Sequence, residues 1–391
     1  MVQDLASNIW KFYLFTFFSN LLFIIPVMVL FWQENSLSLT QIMILQSFYA
    51  LAIVLFEVPT GVIADKFGRK TSLLLGAILL SAGTMIYSLS YGFFQFMIAE
   101  LIFALGVTFI SGADSAFVYD SLKESKKEDD FKRVWGNVTS LNYGGAGIAA
   151  IVGGIVASYY TKRLDWAISA VGISISALIA LTFIEPISFK KNEPKQYFTH
   201  ALSCFKESFN NKTLLFLLLF NSILVTSSKI VFWLYQPYMA QSGLDIVYFG
   251  IVWASFSVVA ILSSKSAHRI ESYLNEKWSL WLIIIVTTLA TLLMSKFFVI
   301  YGFFFIYMHQ FIRGFTPPII QDYTHKHLST EKRATLMSIQ SLAGNLGVAI
   351  LGPIFGYFVD KFALPNAMLI TAISFFTAFC LLMIWNEYRK K

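Results

Sequence analysis

Six ionisable side chains fall inside long apolar runs of this sequence: Glu57, Glu100, Asp114, Lys229, His309 and Arg313. A charge at the centre of a bilayer costs on the order of 3 kcal/mol on insertion scales, so groups that persist there are functional or paired. Carboxylates moved into low dielectric keep their protons to higher pH, and histidine titrates nearest neutrality, so Glu57, Glu100, Asp114 and His309 are candidates for binding and releasing a proton. Glu100 and Asp114 share one run, fourteen residues apart, which in a continuous helix puts them roughly on one face. His309 and Arg313 are four apart with Gln310 beside them, a spacing that stacks them on one helix face as a proton relay or, with Lys229, an anion-binding surface. Plainer alternatives stand beside these. Glu57 pairs with a loop cation at the interface, Glu100 and Asp114 form fixed pairs with Lys229 or Arg313, and Arg313 reaches a carboxylate while His309 packs. Phe48, Tyr49, Trp233, Tyr235 and Tyr238, interleaved with Gln46 and Gln236, are the residue types that line a pocket for amphipathic molecules.

These residues need helices to carry them across a membrane. The 391 residues are 57% apolar and 13% charged, with mean hydropathy +0.67, far from the roughly 25% charged of soluble domains. About 20 mostly apolar residues cross the hydrocarbon. Runs of that kind begin near Trp10, Leu39, Thr71, Phe93, Gly136, Trp166, Leu214, Val247, Leu280, Phe298, Ala334 and Ala367, predicting twelve spans. A long polar stretch, 187–212, separates two sets of six, so the expected domains are 1–186, a linker 187–212 and 213–391. The linker segment FTHALSCFKESF, Phe198 to Phe209, suits a helix lying on the membrane surface. With a cytoplasmic amino terminus, 23 of the 29 Lys and Arg fall on inside segments and 4 on outside loops, so both termini are expected in the cytoplasm of an inner or plasma membrane. The net charge of +7 is this bias, which argues against a nucleic-acid partner. The first run is long and lacks a small-residue cleavage site, so it is expected to stay as an anchor. Cys204 in the linker and Cys380 in the last span are poorly placed for a disulfide. No metal-ligand spacing, nucleophile with a base, or phosphate loop is present, which argues against an enzyme.

Between the second and third spans the chain reads GVIADKFGRK, Gly61 to Lys70. Gly61 and Gly68 are expected to supply the freedom to reverse direction, while Asp65, Lys66, Arg69 and Lys70 hold both signs of charge at the surface. This stretch resembles the loop signature of the major facilitator superfamily, with Lys66 where Arg is commoner. The resemblance implies two pseudo-symmetric six-helix bundles, all α, rocking about a central cavity. It also implies that Arg69 pairs with a carboxylate closing the fourth span, Asp120, while Asp65 meets the start of the eleventh, a latch between the halves that holds the outward-facing state.

Glycines extend the resemblance. The fifth span carries Gly136, Gly145, Gly153 and Gly154; the eleventh carries Gly352, Pro353 and Gly356 at matching places. Small residues at such spacings let helices approach closely, and their recurrence suggests a repeat. The fifth span is similar to the signature of drug and proton antiporters in this superfamily, departing at Ala149 and Ala150 where that signature has Gly and Pro. Many proton-driven exporters carry an Arg in the fourth span, where this chain has Glu100. The implied function is export of a small organic molecule by a monomer, driven by protons and needing no cofactor. Uptake of a nutrient or anionic metabolite is the alternative within transporters, favoured by Lys229, His309 and Arg313. A non-transporting sensor or assembly protein is the alternative of another class, which an intact gating loop disfavours.

Overall fold

The computed structural model describes residues 2–186, 212–325 and 330–390. The proposed linker, with its expected surface helix and Cys204, lies outside them except for its last residue, Lys212, which begins a helix. Among the described residues every regular element is helical: α1 Val2–Ser19, α2 Met28–Glu34, α3 Leu39–Phe67, α4 Arg69–Leu89, α5 Phe93–Ser111, α6 Asp114–Glu124, α7 Phe131–Tyr159, α8 Lys162–Leu181, α9 Lys212–Gln241, α10 Ile246–Lys296, α11 Phe303–His325 and α12 Thr330–Lys390. Helix is the form that satisfies its own backbone hydrogen bonds where no water is available. The twelve spans are all accounted for, with breaks at identifiable residues. The first span is split into α1, which ends at Ser19, and α2 by a non-helical stretch and a short 3-10 turn, Ile25–Val27, that holds Pro26. The fourth span is interrupted at Gly112 and Ala113, between α5 and α6. Helix α10 bends at Asn275 (φ 60°) and α12 at Ala363 (φ 61°), each junction separating two spans.

The chain folds into two compact units whose edges differ from the midpoint of the sequence. Described residues within 1–37, 48–194 and 246–254 form unit 1; those within 38–47, 212–245 and 255–390 form unit 2. Helix α3 therefore contributes its first turns to unit 2 and the remainder to unit 1.

Unit 1 packs around Phe12, Phe15, Phe117 and Phe183, with the Phe117 and Phe183 rings 4.7 Å apart. Unit 2 packs around Phe216, Phe220, Phe355, Phe375 and Phe379, with the Phe220 and Phe379 rings 5.2 Å apart. Lipid tails are as apolar as these rings, so the packing gain is dispersion between close-fitting surfaces, with little help from excluding water.

Candidate gating and transport sites

The α3–α4 junction concentrates the charges of unit 1. Gly61 lies inside α3, so the reversal falls to Gly68 alone, with φ +102°, a conformation open only to glycine. This corrects the shared role expected of the two glycines. Immediately after the turn, Arg69 reaches Asp65 at 3.2 Å and Asp120 at 3.9 Å. Its Nη1 also donates to the carbonyl of Gly112 at 3.4 Å. The break in the fourth span frees that carbonyl, so one guanidinium ties α3, α4 and the α5–α6 break together. Lys66 lies over the neighbouring Phe67 ring at 5.3 Å. The expected contact of Asp65 with the start of the eleventh span involves side chains outside the described ones.

Sequence reasoning missed the other half of this junction. Glu185, just beyond α8, accepts from the backbone N–H groups of Arg69 at 2.6 Å and Lys70 at 2.8 Å, satisfying two of the orphan donors at the start of α4. Asn8 of α1, fully buried, donates to Ser121 and to the Ile184 carbonyl and accepts from the Ile184 N–H. An acid before proline after an apolar run (FIEPIS) and a lone Asn in an amphipathic start were the available signals.

The other ionisable residues separate by environment. Glu100 is buried within α5, close to the hydroxyls of Tyr49 and Tyr87. Asp114 opens α6, partly exposed, and accepts from the Ser115 N–H at 2.5 Å. Because the helix breaks between them, Glu100 and Asp114 do not share one continuous helix face, contrary to the spacing argument. Glu57 is exposed on α3, with no ion pair among the described residues.

In unit 2, His309 is buried, with its Nε2 3.1 Å from the Thr291 hydroxyl and its ring 5.9 Å from Tyr235. Arg313 is exposed and donates to Gln310 at 3.0 Å; Lys229 is exposed and donates to Asn345 at 2.6 Å. The predicted His309–Arg313 surface is thus divided, one member packed and the other open. Tyr235 and Tyr238 are buried, and Tyr238 donates to the Phe297 carbonyl at 2.6 Å. Gln46 and Gln236 are likewise buried, while Trp233 is partly exposed against Phe232.

The glycines of α7 differ in what surrounds them. A side chain at Gly153 would run into the Phe23 carbonyl, one at Gly154 would come 2.7 Å from the Gly250 nitrogen, and one at Gly145 would come 2.9 Å from the Phe17 carbonyl. Among the described residues nothing lies within 4 Å of a side chain placed at Gly136, so it serves no close approach to them. In unit 2, Gly356 lies against Leu39 and Thr40, and Gly352 beside Pro353 lies near Met43 and Ser47.

Twelve spans, close-packed small residues and a charged hairpin between the second and third define a polytopic helical transporter. Residues 12–352 match the family model of the Major Facilitator Superfamily, and the chain belongs to that family. It is similar to the MFS-type transporter YxaM of Bacillus subtilis, 23% identical over 89% of this chain and 88% of that protein. Half of it, 50%, resembles 46% of Multidrug resistance protein 2 of the same organism, at 28% identity. Its fold is that of the nucleoside transporter NupG, with a TM-score of 0.81 at 14% identity over 96% of this chain and 99% of that one. The chain is therefore a multi-pass membrane transporter and not an enzyme.

Proposed function

We propose that this protein is a proton-coupled exporter of small organic molecules, a monomer in the inner or plasma membrane with both termini cytoplasmic, energised by the proton gradient without an organic cofactor. The observation that carries a gated, alternating-access cycle is Arg69, held between Asp65, Asp120 and the freed Gly112 carbonyl. These contacts lie within unit 1 and tie α3, α4 and the α5–α6 break together, which supports a half that moves as one in such a cycle. Glu100 supports proton coupling. An ionisable side chain buried inside a span is functional or paired because of its cost there, and a carboxyl group is one that can carry a proton. Asp114, at the helix break, is the second acid of the path. The outward direction is supported by the half-chain likeness to Multidrug resistance protein 2 and by the fifth-span glycines. The distribution of Lys and Arg supports the orientation.

A second reading, uptake of an anionic metabolite, is favoured by the open cations Lys229 and Arg313. Right-side-out proteoliposomes holding a pH-sensitive dye separate the two. Pools of cationic amphiphiles and organic anions are either preloaded or added outside, under an inward proton gradient. Acidification of the lumen driven by preloaded compound is the export outcome; acidification driven by external compound is uptake. Glu100→Gln and Asp114→Asn are each expected to lower the coupled flux at least about tenfold, and a flux unchanged in both variants overturns the assignment of the acids.

A further inference from the structure

Two basic side chains of unit 2 sit at similar depth and, among the described residues, are hydrogen-bonded to neutral amides. The end of α9 and the start of α11 lie side by side, because Tyr238 donates to the Phe297 carbonyl and Gly302 packs against the same tyrosine. At the helical rise per residue, Lys229 is about 14 Å below Tyr238 and Arg313 about 17 Å below Gly302. Both depths are close to the middle of a hydrocarbon layer of about 30 Å. Among the described residues no carboxylate oxygen lies within 4.0 Å of either cation. Each is oriented instead by an amide oxygen, Lys229 by Asn345 at 2.6 Å and Arg313 by Gln310 at 3.0 Å. Gln310 is only 2% exposed, so the guanidinium is anchored on its inward side while its remaining N–H groups stay open.

A cation at this depth belongs beside a water-filled opening rather than lipid. Neutral amides fix its position and leave its charge unneutralised. Lysine keeps two further donors, and arginine keeps a planar fork matched to carboxylate or phosphate oxygens. Among the described residues, the buried Tyr235 lies near Arg313 and its ring packs against His309, and neither a phenol nor an imidazole supplies a negative counter-charge at neutral pH. We propose that Lys229 and Arg313 bind an anionic group of the transported molecule, a carboxylate or a phosphate, with Asn345 and Gln310 as their positioning residues. The inference rests on the transporter reading and names the chemistry of its cargo.

The test is binding, without any proton gradient, so that its failure is distinct from failure of coupling. The full chain, purified in detergent, is melted at constant ionic strength with a pool of small mono- and dicarboxylates, a pool of phosphate monoesters, or tetraphenylphosphonium. One anion pool is expected to raise the melting temperature saturably and the cation to leave it unchanged; which pool acts identifies the source of the oxyanion. Lys229→Gln and Arg313→Gln are each expected to weaken the stabilisation at least about tenfold in apparent affinity. Asn345→Ala, which leaves both cations in place, is expected to weaken it by a smaller factor and guards against a misfolded charge variant. No stabilisation by either pool, or stabilisation that survives in all three variants, overturns the proposal.

Discussion

At Gly68 the chain turns from α3 into α4 through one residue, and the volume a side chain would occupy is filled by Glu185, whose Oε2 would lie 2.6 Å from an added Cβ. The glycine and the acid are therefore one device: the turn exposes two N–H groups and the carboxylate covers them. Burial pushes the Glu185 carboxyl above its ordinary range, outweighing the opposing pull of the two N–H donors and the Arg69 and Lys70 charges. An acid whose folded value is raised binds its proton more tightly folded than unfolded. Its contribution is then full below the ordinary value of about 4.3 and is lost as pH rises through the raised one. Melting curves across this range should show the wild type falling relative to Glu185→Gln, whose side chain does not titrate. Glu185→Ala should be less stable at every pH by about 1 to 2 kcal/mol, the usual loss of a helix cap. Parallel wild-type and Gln profiles would mean that Glu185 is fully solvated in its ionised form.

At the scale of elements, the glycines of α7 divide into Gly145, Gly153 and Gly154, which admit a neighbouring backbone, and Gly136, Gly144 and Gly147, which face open space among the described residues. Gly153 faces the Phe23 carbonyl, which is fixed by the main chain, whereas Gly136 faces open space within the same helix. Gly136→Ala should raise stability by up to about 1 kcal/mol through helix propensity. Gly153→Ala should lower it by about 1 to 3 kcal/mol through overpacking. Paired thermal melts in detergent check both signs, and a loss at Gly136 would assign it a contact with another molecule. The same contrast explains what the sequence made legible. Spans announce themselves by composition, because twenty apolar residues in a row need no neighbour to be recognised. The charged junction was legible because Gly61 to Lys70 form one short stretch that resembles a family signature, from which the Arg69–Asp120 pair was expected and the Asp65–Arg69 pair was not. Glu185 was not legible, since its donors lie 116 and 115 residues away. The interruption at Gly112 and Ala113 carries no proline, so the spacing of Glu100 and Asp114 was carried through a break that local signals did not mark. Where every helix face is apolar, periodicity also loses its power to say which side chains look inward, which is why the sequence does not separate the buried His309 from the exposed Arg313 one turn on in the same helix.

In the whole molecule, α3 is one continuous helix divided between two units, its first turns held by unit 2. The hold is specific. Asp360 accepts from the N–H groups of Leu39 at 3.0 Å and Thr40 at 2.8 Å and from the Thr40 hydroxyl at 2.5 Å, where a carboxylate is favoured by the helix dipole. Gly356 lets Leu39 and Thr40 come close, and Ser47 reaches the Val348 carbonyl at 3.4 Å. If the units rock during transport as proposed, the remainder of α3 moves with unit 1, and either these first turns leave Asp360 or the helix flexes near Ser47. Cysteines at positions 40 and 360, in a background with Cys204 and Cys380 changed to Ser, joined by a short reducible cross-linker, discriminate between the two. Release is the expected course, because three hydrogen bonds to one carboxylate are exchanged for water more cheaply than a helix interior is broken in lipid. Cross-linked protein should then lose substrate-driven proton flux and regain it on reduction, while each single-cysteine variant given the same reagent is unaffected by the reductant. Full flux with the cross-link complete by mass spectrometry would show that residues 38–47 stay with unit 2 throughout the cycle and that α3 bends instead.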